Sequence, residues 1–295
     1  MIINMLKNLE NVFEKIKLGI FAKEALFFIL TQSVGLALIL KINNSLSLQQ
    51  ALAPQQSFPA NPWSFLINFL IVTVIFLLLL PLFKKRPIFL KVFFFFSIIM
   101  GLDIVFGIFL GEPTALVITI CSAVILGLYP KILTHNLLFS IALAGIGAFI
   151  ALNLEPFSIA IILSVLAIYD IIAVYVTKHM IKMAQVPASQ GVFFGLILPK
   201  NNKDFLENKP SLTFDDKSAY YLLGGGDMVL PLILAASIAR TNFYYGLIVA
   251  GFAFLGLISL HLIFASKTER KAMPGLPPLV FFSLLGYLIV ALIGK

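Results

Sequence analysis

Charge is scarce in this 295-residue chain: 12% of residues are Asp, Glu, Lys or Arg, against 60% hydrophobic. A soluble domain carries about 25% charged residues, so water is excluded as the solvent of most of this surface. Alternating ten-residue strands are absent, which excludes a membrane barrel, whereas apolar runs near the ~20 residues of a spanning helix recur throughout. Cysteine occurs once, at Cys121, which excludes an intrachain disulfide and leaves no ligand set for a thiolate metal site. No metal or other cofactor is expected. The net charge is +8, yet there is no basic stripe with interleaved aromatics, so nucleic acid is not an expected partner. The start of the chain lacks a short apolar core followed by a small-residue cleavage site, and no removable signal peptide is expected.

Apolar runs bounded by charge or proline predict nine spans, near 24–41, 63–83, 90–110, 113–130, 135–153, 156–177, 218–239, 243–266 and 274–293. The expected fold class is therefore all-α, a polytopic membrane protein. Lysine and arginine set its direction. One set of connections holds Lys7, Lys15, Lys17, Lys23, Lys84, Lys85, Arg86, Lys91, Lys131, the lysines between Lys178 and Lys217, Lys267, Arg270 and Lys271; the other holds only Lys41, Arg240 and Lys295. Positive charge stays inside, so the N-terminus is expected in the cytoplasm and the C-terminus outside. That places the chain in the cell membrane of a prokaryote or an endomembrane of a eukaryote.

Ahead of the first span, Ile2, Met5, Leu6, Leu9, Val12, Phe13, Ile16 and Ile20 recur at helical spacing with Lys7, Glu10, Glu14 and Lys17 between them. They predict an amphipathic helix lying on the membrane surface. The one sizeable polar connection, 178–217, divides the chain into a six-span part, 1–177, and a three-span part, 218–295. Within that loop Val192 to Leu198 is apolar but too short to cross. It is expected to rest on the interface or to dip back among the helices.

Of 13 acidic residues, only Asp103, Asp170 and Asp227 fall well inside spans, where a carboxylate costs about 2.5 to 3.5 kcal/mol. Asp170 lies eight residues before Lys178, and Asp227 nine or ten after the start of its span. At 1.5 Å of rise per residue both sit roughly 12 to 15 Å from the cytoplasmic border, on consecutive antiparallel helices, and can meet. Asp103 is deeper, roughly 18 Å in, and reads as a hydrogen-bonded acid joining helices. Two facing carboxylates in a low dielectric share one proton. The ionised member takes a proton from water as it attacks an amide carbonyl, and the protonated member donates to the developing oxyanion. The same pair would also serve as a proton-sharing helix tie, or, with Asp103, as the carboxylate sites of a cation-conducting or cation-coupled transporter. Depth alone leaves these open.

The neighbouring residues favour chemistry. Gly224, Gly225 and Gly226 precede Asp227 and allow close approach of another backbone or of water. Pro231 cannot donate to the carbonyl of Asp227, which loosens the helix around the acid. Pro274, Gly275, Leu276, Pro277 and Pro278 open the last span, and three prolines in five positions predict a segment that stays extended and offers its backbone to a strand-like substrate.

Tyr169-Asp170 in span six, Gly224-Gly225-Gly226-Asp227 in span seven and Pro274-Gly275-Leu276 in span nine together resemble the YD, GxGD and PAL motifs of the presenilin and signal peptide peptidase family. The motif support covers 156–293; the earlier spans agree in number and direction only. The resemblance implies an intramembrane aspartyl protease that cleaves transmembrane segments of membrane proteins. Asp170 and Asp227 would be its catalytic aspartates, with Tyr169 and the three glycines shaping the site and Pro274, Gly275, Leu276 and Pro277 positioning substrate. The middle residue of GxGD, often leucine, is glycine here, and the alanine of PAL is Gly275. The inside N-terminus is that of presenilins rather than signal peptide peptidases, and the short loops resemble compact archaeal homologues. By that resemblance accessory subunits are not required; assembly of several copies stays open. Prepilin peptidases also carry a GxGD aspartate, but usually with a lysine two residues on, where Val229 stands here.

Overall fold

A computed structural model of the chain describes residues 18–45, 48, 62–177, 185–208, 220–266 and 273–294. The expected surface helix over the first 20 residues lies outside them, except for its last three residues, which open α1. Among the described residues the chain forms nine α-helices of 15 residues or more: α1 (Leu18–Asn43), α2 (Pro62–Lys85), α3 (Pro87–Leu110), α4 (Thr114–Leu128), α5 (Ile132–Asn153), α6 (Pro156–Ile171), α7 (Gly225–Ala239), α8 (Phe243–Ser266) and α9 (Leu276–Ile293). Six of them, α1, α3, α5, α8, α9 and α6 taken with the π-helical turn Ile172–Val176 that follows it, are long and apolar enough to cross a membrane. Large apolar side chains such as Leu26, Val72, Leu78, Phe96 and Leu288 stand exposed on the outside, as lipid rather than water demands. The molecule is a helical, multi-pass membrane protein.

α5 and α7 occupy the middle. α5 packs against α1, α3 and α7, while α7 also packs against α8 and α9. Every residue from Pro231 to Ala239 on α7 is buried, and Leu232 to Ala236 join Leu36, Leu38, Ala144 and Ala148 in one core cluster. Small residues set the closest approaches. A Cβ on Gly145 of α5 would collide with the carbonyl oxygen of Gly101 on α3, and one on Gly101 with the backbone of Ala142. Without a hydrophobic drive between helices in lipid, such backbone-to-backbone contact is a main source of cohesion. One buried amide adds to it: Gln32 on α1 donates to the carbonyl of Met228 on α7 at 3.0 Å.

One segment departs from the helical expectation, and another is resolved in its form. The stretch 218–239 is, in its described part, a five-residue strand β2 (Tyr220–Gly224) followed by α7, so the helix starts at Gly225 and not before. Of the two alternatives for Val192 to Leu198, a place on the interface or one among the helices, the second fits its burial: Gly195–Pro199 is strand β1, buried along its whole length. β1 and β2 pair antiparallel, Gly195 opposite Gly224 and Pro199 opposite Tyr220. Each run is too short for a spanning helix and ends in glycine or proline, and each satisfies the other's backbone within the bundle. Non-helical backbone survives at such a place only when protein covers it.

Candidate active site

Asp170 sits in the last turn of α6, buried, immediately before the wide π turn. Asp227 is the third residue of α7, half-buried. Gly224 is the N-cap in extended conformation (φ −63°, ψ 141°), and its backbone amide donates to the Asp227 carboxylate. This is the reach-back of an acid at the third helical position to the cap amide, and a negative charge is favoured at a helix N-terminus. Asp227 therefore stands at the start of a helix rather than two turns along one. The missing amide of Pro231 leaves the carbonyl of Asp227 without its usual partner four residues on.

The opening of α9 lies between the two acids. The amide of Leu276 donates to Oδ2 of Asp170 at 3.1 Å, and the amide of Gly275 also bonds that carboxylate. On the other side, a Cβ added to Gly275 would come within 2.6 Å of Oδ2 and 2.8 Å of Cγ of Asp227. The two carboxylates act on each other electrostatically. Oδ1 of Asp170 is buried without a hydrogen-bond partner among the described residues. One oxygen of this acid is thus held by backbone and the other is not.

The remaining predicted residues fall out unevenly. Gly225 is sterically required: its Cβ would meet Cζ of Phe139 at 2.8 Å, and its amide donates to the carbonyl of Phe194 at 3.0 Å, which carries the sheet one step into the helix. A Cβ on Gly226 would meet nothing within 4 Å, so close packing does not explain that glycine. The side chain of Tyr169 bonds Thr73 of α2 while lying in the field of Asp170; it ties two helices together beside the acids. Pro274 and Gly275 are buried and precede the helix, but Gly275 already has helical dihedrals (φ −88°, ψ −30°), so the expected extended run is not found there. α9 already begins at Leu276, with Pro277 and Pro278 in its first turn. First-turn amides have no intrahelical acceptor, so proline costs nothing there. Asp103 stands apart from the pair, on α3, where Thr119 of α4 donates to Oδ1 at 3.5 Å.

Sequence reading missed three buried polar side chains that grip the sheet beside Asp227: Lys23, His135 and Asn136. The signal was available, since a His-Asn pair inside an apolar span is as costly as an acid there.

A helical membrane bundle that sets two aspartates, one ahead of a π turn and one just past a strand-to-helix junction, on either side of one backbone segment has the architecture of an intramembrane hydrolase. The model of the family of signal-peptide peptidase and presenilin aspartyl protease matches residues 25–295, and the chain belongs to that family. It is an intramembrane aspartyl protease, an aspartic endopeptidase. Among solved structures it is similar to a presenilin family intramembrane aspartate protease in two crystal forms. The P2 form aligns with a TM-score of 0.61 at 27% identity, and the C222 form with 0.59 at 24%; each alignment covers 91% of this chain and 96% of that one. A comparison with curated proteins finds no match.

Proposed function

We propose that Asp170 and Asp227 are the catalytic dyad, hydrolysing a peptide bond within a transmembrane segment of a membrane-protein substrate. The observation that carries this reading is the segment Gly275–Leu276, whose backbone bonds one carboxylate and touches the other. The ionised acid takes a proton from a water as its oxygen attacks the scissile carbonyl, and the protonated acid donates to the carbonyl oxygen. The tetrahedral intermediate then collapses, with the proton passing to the leaving amine. The Leu276 amide keeps the Asp170 carboxylate oriented through both steps, a positioning role for the PAL-like segment.

A helical substrate must be unwound to expose its carbonyl, and β2 offers the edge for it. Its residues alternate in direction. Tyr221 and Leu223 face β1, so the backbone of Leu222 faces away, and nothing among the described residues pairs with it. A substrate segment added there as a strand would run past Gly224 to the acids. In this reading all nine helices cross the bilayer, with the N-terminus in the cytoplasm and the C-terminus outside, and the single chain suffices without accessory subunits.

The test is cleavage of a single-span substrate by the purified chain in liposomes. Asp170→Asn and Asp227→Asn should each abolish product while leaving the thermal melt in place, and a hydroxyethylene transition-state analogue should block the parent protein. Cleavage by either folded variant would sink the dyad.

A further inference from the structure

Among the described residues, the sheet that leads into Asp227 has one open edge and one closed edge, and the closed edge is made of side chains. Because the amide of Gly225 bonds Phe194, the alternation along β1 turns Leu196 and Leu198 towards β2 and turns Gly195, Ile197 and Pro199 away. The outward carbonyls of all three, and the amide of Ile197, are met by side chains. Nε2 of His135 lies 3.0 Å from the carbonyl oxygen of Gly195. Asn136 takes both outward groups of Ile197, donating Nδ2 to its oxygen at 2.7 Å and accepting its amide at 3.0 Å. Nζ of Lys23 donates to the carbonyl of Pro199 at 2.6 Å, and proline has no amide to satisfy. His135 and Asn136 on α5 and Lys23 on α1 thus stand where a third strand would lie.

The placement is costly and specific. His135 and Asn136 are fully buried and Lys23 nearly so, in a bundle where unpaired polar groups are strongly penalised. The His135 ring is stacked against Phe94 and Phe139, and the Lys23 ammonium lies 5.2 Å from the centre of the Phe205 ring. A bidentate amide fixes a strand along its axis as well as across it, so β1 cannot slide relative to α5. β2 is held to β1 in a single register, and Asp227 follows β2 by three residues.

We propose that Lys23, His135 and Asn136 are positioning residues: through β1 and β2 they fix where the Asp227 carboxylate stands relative to Asp170 on α6. The proposal rests on reading the two acids as the dyad. It adds that the scaffold of the site is anchored from the first and fifth helices, elements with no motif of their own.

The variants Asn136→Leu, His135→Phe and Lys23→Met remove the bonds at similar volume, and Lys23→Arg keeps the donor. Each is made in the full chain, reconstituted, and its sites counted by titration with the transition-state analogue. The expected result is a fall of about tenfold or more in kcat per titrated site with KM within about twofold, a broader set of product termini by mass spectrometry, and recovery in Lys23→Arg. Fewer titratable sites with unchanged kcat per site and unchanged termini would overturn the proposal, since a purely structural role gives that pattern. If Asn136→Leu yields no folded protein, the contrast between Lys23→Met and Lys23→Arg decides. Cleavage surviving in Asp170→Asn would instead refute the dyad, and the two failures are read separately.

Discussion

The carboxylate of Asp227 rests on the bare Cα face of Gly275, where a methyl group would approach Oδ2 to 2.6 Å and Oδ1 to 2.9 Å. The atoms it meets are the mobile end of a side chain, so the carboxylate would swing aside at little cost to the fold. Gly275→Ala restores the alanine of the PAL motif, yet here it should displace the acid. A shift approaching 1 Å at a reacting group costs roughly 10- to 100-fold in rate. The expected outcome is a kcat lowered by about that factor with an unchanged melting temperature. An undiminished kcat would mean that the methyl is absorbed by α9 instead.

Leu222→Pro separates the open edge of the sheet from its closed interior. The amide of Leu222 points away from β1, so proline at this position removes no bond within the sheet, and an edge strand tolerates it. A substrate strand would lose one donor and meet the ring. Cleavage efficiency, kcat/KM, should fall roughly tenfold or more, while binding of a small active-site inhibitor and the thermal melt stay unchanged. Equal efficiency in parent and variant would place the substrate elsewhere.

Two carboxylates in each other's field titrate as a pair, and the proposed dyad mechanism requires one proton between them. Rate against pH should therefore be bell-shaped, falling on the acid side as the second carboxylate gains a proton and on the alkaline side as the last shared proton leaves. Stopped assays in liposomes buffered on both faces measure it. A rate that rises to a plateau with no fall would indicate a single titrating group.

Much of this arrangement was legible before any coordinates. Acids are so costly in lipid that Asp170 and Asp227 stand out in the sequence; the common depth counted at 1.5 Å per residue assumes a helix ahead of Asp227, where Tyr220–Gly224 is a strand. Tyr220–Gly224 was not legible as a strand. Beyond Gly224–Asp227 the apolar run resumes at Met228 and reaches Leu234, and periodicity cannot tell a short buried strand from the first turns of a spanning helix. Its partner β1 lies across a long connection, so the pairing is a tertiary fact that no local pattern carries. Pro277 and Pro278 misled for a related reason: three prolines forbid a helix interior but not a first turn, and the boundary at Leu276 is fixed by the amide it gives to Asp170.

The contact of α3 with α5 allows a prediction about stability alone. Gly101 and Gly145 face each other, so that a Cβ on either would enter the other helix's backbone, and backbone cannot yield as a side-chain tip does. Val105 adds a second obstacle, 2.9 Å from the same added atom on Gly145. Gly145→Leu must push the helices apart along a contact that has no hydrophobic drive to restore it in lipid. Overpacking of this kind costs about 1 to 3 kcal/mol, read as a lower melting temperature in detergent. A variant that melts with the parent would show that α3 and α5 are not held at this distance by their glycines.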